Sequence, residues 1–458
     1  MTTLAIELND ASIAVARSDR LLATEPGCAI ETRDGIAFGD AALRSSRLRP
    51  RDANNRYWAD LSVGPLARPL SNAKSAADLA HAQLLQLWKR FGEAGDDVLL
   101  AVPGSFDREK LSLLLGIASA CEMPVAGLVD AAVAACHRPY PGWDSIHVEA
   151  QLHGFGLTQI GHAQRDGGDE AVAETFETVS QTGVAQLHER WARRIAAVFI
   201  AQTRFDPLSD GKTEQRLFDA LPGWLEAFGN LPSATVEFDL DRVTKRIQLA
   251  RQDIVAEAAD VYDRLADRVS AARHPGRGLT VRMGSVLAHL PGAKERLSQI
   301  AGVRVVELSA GAGALGALAC ASDIRSTPGQ TTLARSVGWR TPADPLPALR
   351  SDELDGSVSE ATHLLIRDTA HPIGEGSLRL RFAETGRLQI TVESADERVD
   401  FALRRSEAGL QLECAEDISV LVNTNAAESG TRLHSGDRLT VVGTTEEALL
   451  IAVKNDAP

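Results

Sequence analysis

The stretch Asp97-Val-Leu-Leu-Ala-Val-Pro103 predicts a buried strand, because its apolar residues run without interruption up to a proline. A helical pattern follows from Asp107 to Ala120. Val125 to Val129 predicts a second strand, and Asp130-Ala-Ala-Val-Ala-Ala135 predicts the first turns of another helix. Strands and helices that alternate in this order favour an α/β domain.

Similar patterns lie on both sides of this stretch. Leu4 to Ala16 alternates apolar residues around a polar turn, which predicts a hairpin of two strands. Ser145 to Ile160 predicts a second hairpin with glycines at its turn. The other predicted elements are helices at Ser75 to Phe91, Val184 to Gln202, Thr213 to Phe228 and Asp253 to Ala272, and a buried strand at Gly278 to Gly284.

Beyond Ser322 the composition changes. Ser326 to Gly356 contains four prolines and is typical of a linker, so a domain boundary is predicted there. About seven short β-rich runs follow between Ala361 and Ala457, and their spacing predicts a small antiparallel sandwich or barrel over 357–458. The runs are His363 to Arg367, Leu378 to Phe382, Leu388 to Val392, Phe401 to Arg405, Ser419 to Val422, Leu439 to Val442 and Leu449 to Val453.

Composition and charge limit the classes of function. The chain has 458 residues, of which 44% are hydrophobic and 24% charged, and this indicates a folded protein of more than one domain. A net charge of -14 repels phosphate backbones and anionic lipids, so we expect no nucleic acid and no membrane as partner. Five dispersed cysteines indicate reduced thiols and a cytoplasmic location. The first twenty residues have no basic segment, which predicts no signal peptide.

Common catalytic motifs are missing from the sequence. It contains no G-x-x-x-x-G-K-[ST], no G-x-S-x-G and no H-E-x-x-H, and no metal site is predicted from its dispersed histidines. One G-x-G-x-x-G occurs at Gly311 to Gly316. A proline-rich segment follows where a dinucleotide-binding fold needs its next strand, so this match is a weak signal.

Six short motifs occur in an order that is typical of one superfamily. They are Glu7-Leu-Asn-Asp-Ala-Ser12, Val102-Pro-Gly-Ser-Phe106, Gly127-Leu-Val-Asp-Ala-Ala-Val-Ala-Ala135, Leu152-His-Gly-Phe-Gly156, Met283-Gly-Ser285 with Leu290-Pro291, and Gly311 to Ala319. Their order resembles the actin-like ATPase superfamily and, within it, the DnaK-type heat shock protein 70 family. In that family the corresponding motifs are the first phosphate hairpin D-L-G-T-T, V-P-A-x-F, the first connecting helix, the second phosphate hairpin D-L-G-G-G-T, the adenosine loop and the second connecting helix.

The resemblance covers about residues 1–325 and implies an α/β two-lobed actin-like ATPase fold, with lobes at about 1–145 and 146–325. It implies ATP or ADP with Mg²⁺ in the cleft between the lobes. Glycines let backbone N–H groups approach phosphate oxygens, and a carboxylate at each hairpin orders the metal and the attacking water. The residues that the resemblance assigns to nucleotide binding are Asn9, Asp10, Ser12, Gly154, Gly284, Ser285, Gly311 and Gly313.

Both hairpins depart from the family pattern. In the first, Glu7 replaces aspartate, Asn9 replaces glycine and Asp10 replaces threonine. In the second, the nearest carboxylate is Glu149 on the incoming strand, and His153 stands where a glycine is expected, as a ligand contact or a solvated turn histidine. Phosphoryl transfer depends on positioning and on charge stabilisation, so we expect at most a weak ATPase and assign no catalytic residue.

Structural roles are the alternative for the predicted site residues. Gly284 and Ser285 also fit a simple tight turn. Gly311 and Gly313 also fit close helix packing. Asp10 also fits the turn of a hairpin.

The C-terminal region carries a second resemblance. The resemblance rests on six segments: Phe401 to Arg405, Gly409 to Leu412, Val422-Asn423, Gly430 to Leu433, Ser435 to Leu439 and Val442-Gly443. Their order resembles forkhead-associated sandwich domains, which implies protein binding through loops. The S-x-x-H motif with which such domains bind phosphothreonine does not occur between Gly374 and Leu410, and Arg404 and Arg405 are interpreted as a surface pair on a strand.

Three hypotheses for the function follow. The first is a DnaK-like protein that binds ATP or ADP between its lobes and acts as a slow or non-hydrolysing switch coupled to partner binding. The second is a pseudo-ATPase scaffold that no longer binds nucleotide and works through its C-terminal β-sandwich as a protein-interaction module. The third is a folding helper for exposed peptides, although Asp352-Glu-Leu-Asp-Gly356 lacks the leucine run of chaperone linkers.

Overall fold

The computed structural model describes residues 2–165, 168–179, 182–229, 231–240, 243–274, 277–326, 330–347, 361–374, 377–382, 388–391, 399–406, 409–415, 418–422, 425–433, 435, 437–442, 447–451 and 453. The chain divides into two compact units, one of residues 1–266 and 277–348 and one of residues 267–276 and 349–458. The first is mixed α/β, and the C-terminal part of the chain is rich in β-strands.

The strands up to residue 338 are β1 (Thr3–Glu7), β2 (Ile13–Arg17), β3 (Arg20–Glu25), β4 (Ala29–Thr32), β5 (Gly35–Phe38), β6 (Ala53–Asn54), β7 (Pro65–Leu70), β8 (Ala73–Ser75), β9 (Asp97–Val102), β10 (Val125–Asp130), β11 (Trp143–Ala150), β12 (Phe155–Arg165), β13 (Gly168–Val179), β14 (Ser233–Leu240), β15 (Val243–Ala250), β16 (Gly278–Met283), β17 (Val303–Glu307), β18 (Leu333–Ala334) and β19 (Ser336–Gly338). The α-helices are α1 (Asp40–Ser46), α2 (Ala76–Phe91), α3 (Arg108–Ala120), α4 (Ala131–Ala135), α5 (Val184–Thr203), α6 (Gly211–Ala227), α7 (Arg251–Ala256), α8 (Ala259–Ala271), α9 (Ser285–Ala288), α10 (Ala293–Ser298), α11 (Ala312–Ala319) and α12 (Ala321–Ile324), with a short 3₁₀ helix at Pro50–Asp52. The later strands are β20 (His363–Ile366), β21 (Thr369–Pro372), β22 (Ser377–Phe382), β23 (Leu388–Thr391), β24 (Phe401–Ser406), β25 (Gly409–Cys414), β26 (Val420–Val422), β27 (Asn425–Ala427), β28 (Arg432–Leu433), β29 (Arg438–Val441) and β30 (Glu447–Ile451).

A first six-stranded sheet has the order β18-β10-β9-β1-β2-β3. Strands β1, β2 and β3 pair antiparallel, whereas β9 and β10 join parallel to β1. This confirms the predicted N-terminal hairpin and the strand–helix–strand alternation between residues 97 and 135. Helix α3 begins after Asp107, whose Oδ1 accepts the N–H of Lys110 at 2.9 Å as an N-cap.

A second six-stranded sheet has the order β17-β16-β11-β12-β13-β19. Strands β11, β12 and β13 pair antiparallel, and β16 and β17 join parallel to β11. This repeats the scheme of the first sheet, and the hairpin predicted at residues 145–160 is confirmed. In both sheets the carboxyl end of the first strand leads into a turn, so these two turns occupy equivalent positions in the two sheets.

Small residues form the core that joins the two sheets. Helices α4 and α11 consist almost wholly of Ala, Gly, Val and Leu, and they pack with Ala5 and Ala101 of the first sheet and with Ile160 and Ala171 of the second. Because these side chains are short, the helices approach each other and the sheets closely. The close helix packing proposed for the glycine-rich segment 311–319 is therefore present.

Two sequence predictions need correction. The helix expected over Asp253 to Ala272 is two helices, α7 and α8, because at Ala258 the N–H bonds only three residues back, to the carbonyl of Val255. The segment predicted as a linker supplies two short strands, β18 beside β10 and β19 beside β13. Their pairing partners lie more than a hundred residues away, so local composition gave no sign of them.

The C-terminal strands form two antiparallel sheets. One has six strands in the order β21-β20-β30-β29-β26-β27, and the other has five in the order β23-β22-β24-β25-β28. Both contribute to one hydrophobic core, with Leu364 and Leu450 from the first sheet and Phe401 and Leu412 from the second. The seven predicted runs all contain strands, and β21, β25, β27 and β28 were not predicted as strands because they are short or more polar.

Within the described part of the chain, the helices are all too short or too polar to cross a membrane.

Candidate functional site

The turn between β1 and β2 contains three of the predicted site residues, Asn9, Asp10 and Ser12. The N–H of Ser12 donates to the carbonyl of Asn9 at 2.9 Å, and the N–H of Ala11 donates to Asn9 Oδ1 at 3.0 Å. Asn9 therefore closes the turn with its own side chain, as in an Asx turn. Asn9 and Asp10 are buried, whereas Ser12 is partly exposed.

This first turn is hydrogen-bonded directly to the turn between β11 and β12. Asn9 Nδ2 donates to the carbonyl of Ala150 at 3.1 Å, and the N–H of Leu152 donates to Asp10 Oδ1 at 2.8 Å. Asp10 is only 7% exposed, so the second of these bonds is shielded from water. The Asp10 carboxylate in the first turn thus accepts the hydrogen bond of a backbone amide in the second turn.

Helix α5 holds the second turn from the other side. The N–H groups of Val184 and Ala185 donate to the carbonyls of Gln151 and Leu152, each at 3.0 Å. The turn itself is closed by a bond of 2.9 Å from the N–H of Gln151 to the carbonyl of Gly154. Both carbonyls of this turn that face the helix therefore accept hydrogen bonds from the start of helix α5.

His153 is an additional link between these segments. Its Nε2 lies 3.0 Å from the carbonyl of Asn55, and the side chain of Gln186 lies 3.1 Å from its Nδ1. Burial lowers the pKa of His153, which favours the neutral ring with one donor and one acceptor nitrogen. His153 is thus a positioned, partly buried residue and not a solvated turn histidine.

Four carboxyl groups lie close together beneath the two turns. They belong to Glu7, Asp10, Asp130 and Glu149. Asp10, Asp130 and Glu149 are each less than one tenth exposed. Asp130 caps helix α4 by accepting the N–H of Ala132 at 2.9 Å. We call these four residues the carboxyl cluster.

Burial makes the carboxyl cluster weakly acidic. Desolvation, the largest cause, and the neighbouring Glu7, Asp130 and Asp10 together raise the pKa of Glu149 to about 8. Desolvation also raises the pKa of Asp10 to about 6, against the opposing effect of the Leu152 N–H. The pKa values of Glu7 and Asp130 are raised by burial as well. Glu149 therefore holds its proton at neutral pH, whereas Asp10 loses its proton as the pH rises through about 6.

Polar groups of the chain itself satisfy Glu149. Its Oε1 accepts from Gln151 Nε2 at 3.2 Å, and its Oε2 lies 3.5 Å from Asn9 Nδ2. Asn9 therefore contacts both the backbone and the side chain that follow strand β11. Among the described residues, no group of three His, Cys, Asp or Glu side chains is arranged to hold a metal ion.

The start of helix α11 also contacts the carboxyl cluster. The N–H of Ala314 donates to Glu7 Oε2 at 3.1 Å. A Cβ on Gly313 would lie 2.8 Å from the carboxyl carbon of Glu7, so a glycine is required at this close approach. Gly311 lies apart from the cluster, next to Ala14 and Leu21 of the first sheet.

Gly284 and Ser285 lie beside strand β11. The N–H of Gly284 donates to the carbonyl of Val148 at 2.8 Å, and its nearest neighbours include Glu149. Ser285 begins the short helix α9, and its carbonyl lies 2.6 Å from His289 Nδ1. Both residues are partly exposed. The segment thus lies next to the carboxyl cluster and forms a turn between a strand and a helix.

The structure therefore brings four of the eight predicted residues together, and it adds others. Asn9, Asp10, Gly284 and Gly313 all contact the carboxyl cluster or belong to it, whereas Gly311 does not. The sequence gave no signal for the Leu152 amide, which bonds to Asp10 only because the two turns meet, or for the Gln151 side chain, which bonds to Glu149. Asp130 could be found from its position before an alanine-rich helix.

In the C-terminal part, Arg404 and Arg405 have structural partners. Arg404 Nη1 lies 3.1 Å from Glu413 Oε1 on the neighbouring strand, and both side chains are exposed. Arg405 donates to the carbonyl of Ala361. Arg404 therefore lies on the surface as expected, whereas Arg405 is only partly exposed and bonds to the buried Ala361. Asn423 and Gly443 of the forkhead-associated resemblance lie outside the described residues.

No protein-family model matches this chain, and no curated protein sequence matches it.

Proposed function

We propose that this chain is a pseudo-ATPase scaffold: a DnaK-like, two-lobed actin-like protein whose phosphate site is closed by its own side chains, and which works through its C-terminal β-rich part as a protein-interaction module. The two-lobed fold is supported by the repeated strand order of the two six-stranded sheets. It is also supported by the equivalent positions of the two turns, each of which follows the first strand of its sheet.

The observation that carries the proposal is the bond of 2.8 Å between the Leu152 N–H and the Asp10 carboxylate. In the family that the motifs resemble, phosphate groups lie between the two hairpins. Here the Asp10 carboxylate already accepts the hydrogen bond of the Leu152 amide, and the Asn9 side chain donates to the carbonyl of Ala150 before the second turn. A phosphate would have to displace both contacts and approach the Asp10 carboxylate, where like charges repel.

Nucleotide binding tests this proposal directly. We expect no change in melting temperature and no heat of binding when millimolar ATP or ADP is added with Mg²⁺ to the full chain. A DnaK-type chaperone measured in parallel is the positive control. Saturable binding of either nucleotide would contradict the scaffold function.

A nucleotide switch is the second candidate, and one observation favours it. The predicted adenosine loop at Gly284 and the predicted second connecting helix at Gly313 both lie against the carboxyl cluster. A nucleotide site needs these segments to meet. In this alternative ATP with Mg²⁺ stabilises the chain, and release of inorganic phosphate stays slow.

The role of the C-terminal part is tested separately, with an interaction partner isolated by crosslinking and confirmed with purified protein. We expect Asp10→Ala to leave the affinity for that partner unchanged. Arg404→Glu reverses one charge of the exposed pair with Glu413 and should weaken the affinity for the partner. Adding Glu413→Lys in the same chain should restore the pair and with it the affinity. A partner affinity that falls with Asp10→Ala and not with Arg404→Glu would place the interaction elsewhere.

A further inference from the structure

A groove of about 700 Å³ lies between strand β5, the turn before β8 and one side of helix α2. Its lining residues are Gly35, Ile36, Phe38, Ser71, Asn72, His81, Ala82, Leu85, Gln86, Lys89 and Arg90. None of them belongs to the turns or to the carboxyl cluster. The groove is therefore a surface separate from the candidate site.

The floor of the groove is apolar. Ile36 and Phe38 come from β5, and Ala82 and Leu85 come from α2. Ile36, Ala82 and Leu85 remain partly exposed, although they pack against the core around the first sheet. Apolar side chains that line an open groove favour a ligand with apolar side chains of its own.

Strand β5 also offers a backbone edge. It is the outer strand of the sheet β5-β4-β6. The N–H of Gly39 donates to the carbonyl of Cys28, and Phe38 and Ile36 face Ala29 and Glu31 in the same register. Because hydrogen-bonded and non-hydrogen-bonded pairs alternate in an antiparallel sheet, the N–H and carbonyl groups of Ile36 and Phe38 point away from β4. An extended peptide can pair with such an edge.

The rim of the groove is basic. Lys89 and Arg90 lie exposed in the last turn of α2, and His81 lies two turns earlier. No aspartate or glutamate lines the groove among the residues described. Three carboxylates outside the lining contact or interact with lining residues: Glu31 accepts from Ser71 at 2.8 Å, Asp78 interacts with His81, and Glu25 interacts with Arg90. In a chain of net charge -14, this is a local site for an acidic ligand.

We propose that this groove binds an extended acidic peptide of a partner protein, which adds as a strand to the edge of β5, places apolar side chains on Ile36, Phe38 and Leu85, and pairs its carboxylates with Lys89 and Arg90. This goes beyond the proposed function, which places partner binding in the C-terminal part. The two surfaces together give a scaffold that contacts two different segments.

The probe for the test is a fluorescein-labelled octapeptide in which leucine alternates with glutamate and aspartate. We expect a saturable rise in its fluorescence anisotropy with the full chain, which weakens when NaCl is raised from 50 to 500 mM. The same peptide with lysine in place of every acidic residue should not bind. Equal binding of both peptides, or of neither, would overturn the proposal.

Charge reversal on the protein locates the contact. Lys89→Glu with Arg90→Glu should weaken binding of the acidic peptide at least tenfold. The control variant, Arg51→Glu with Lys212→Glu, makes the same change in net charge at exposed positions outside the groove and should leave binding within twofold. An equal loss in both variants would mean that the peptide responds to net charge and not to the groove.

Peptide chemistry separates strand addition from other modes. N-methyl groups on alternate residues remove the N–H donors from one edge of an extended octapeptide. The affinity should fall at least tenfold when the methylated edge is the one that must pair with β5. Of the two alternate patterns of N-methylation, one should bind and one should not. Equal binding of both N-methylated peptides would contradict strand addition. Binding of a labelled oligothymidine to the groove would indicate an anion site without selectivity for peptides.

Discussion

Among single residues, Glu149 has an acidity that burial alters strongly. Burial and the surrounding Glu7, Asp130 and Asp10 raise its pKa from 4.5 to about 8. A carboxyl group whose pKa is higher in the folded state favours folding while it is protonated. The stability that Glu149 supports is therefore complete below pH 4.5 and is lost as the pH rises to about 8.

Glu149→Gln tests this effect. Glutamine carries no charge at any pH, so the variant should be similar in stability to the parent chain at pH 4.5 and more stable than it at pH 8.5, by about 1–3 kcal/mol. Urea unfolding at the two pH values measures the difference. The other charges around the carboxyl cluster, Arg56 and Asp60 near Asp10 and Arg335 near Asp130, stay unchanged in the variant. A variant that is less stable at both pH values would show that Glu149 is needed as an anion.

Asp10 is the residue that joins the two turns, and its removal should weaken that link. Asp10→Ala leaves the buried N–H of Leu152 without its acceptor, which should cost about 1–3 kcal/mol of unfolding free energy. Asp10→Asn keeps an acceptor oxygen and should retain most of the stability at pH 7. Urea unfolding of the three proteins gives the comparison. Equal stability of the alanine variant and the parent chain would argue that the bond between the turns contributes little.

At the scale of secondary-structure elements, the residue that caps the start of helix α5, Gly183, packs tightly against the second turn. A Cβ on Gly183 would lie 2.5 Å from the carbonyl oxygen of Gln151 and 2.6 Å from the N–H nitrogen of His153. Gly183→Ala must therefore displace the helix from the turn, and we expect a loss of about 2–3 kcal/mol in stability. The control is Gly116→Ala in the middle of α3, where a Cβ meets nothing within 4 Å and should stabilise the helix by about 0.5–1 kcal/mol. Thermal unfolding of both variants checks the opposite signs.

The elements also show how far local sequence patterns reach. The β9–α3–β10 alternation and both hairpins were predicted correctly, because apolar periodicity and the cap at Asp107 are local signals. Strands β3 to β8 and the hairpin β14–β15 were not predicted; β3 exposes Leu21 and Leu22, and the exposed positions of β14 and β15 are mostly polar, so neither pattern marks a buried strand. At the candidate site, the sequence placed Asn9 and Asp10 in a turn, but their bonds to Ala150 and Leu152 span about 140 residues and depend on how the two sheets meet.

On the scale of the whole molecule, the division into two compact units predicts two unfolding transitions. The carboxyl cluster lies in the unit of residues 1–266 and 277–348, so the midpoint of that unit's transition should fall as the pH rises from 6 to 8.5, because Glu149, with a folded pKa of about 8, then loses its proton. In the other unit, Cys414 has a pKa raised by burial, and a thiol with a raised pKa stays protonated over this range. The transition of that unit should therefore keep its midpoint. Differential scanning calorimetry at pH 6, 7.5 and 8.5 separates the two transitions, and Glu149→Gln identifies which one belongs to the larger unit by reducing its shift. A single transition would mean that the two units unfold as one. Two transitions that move together with pH would mean that the carboxyl cluster affects the stability of the entire chain.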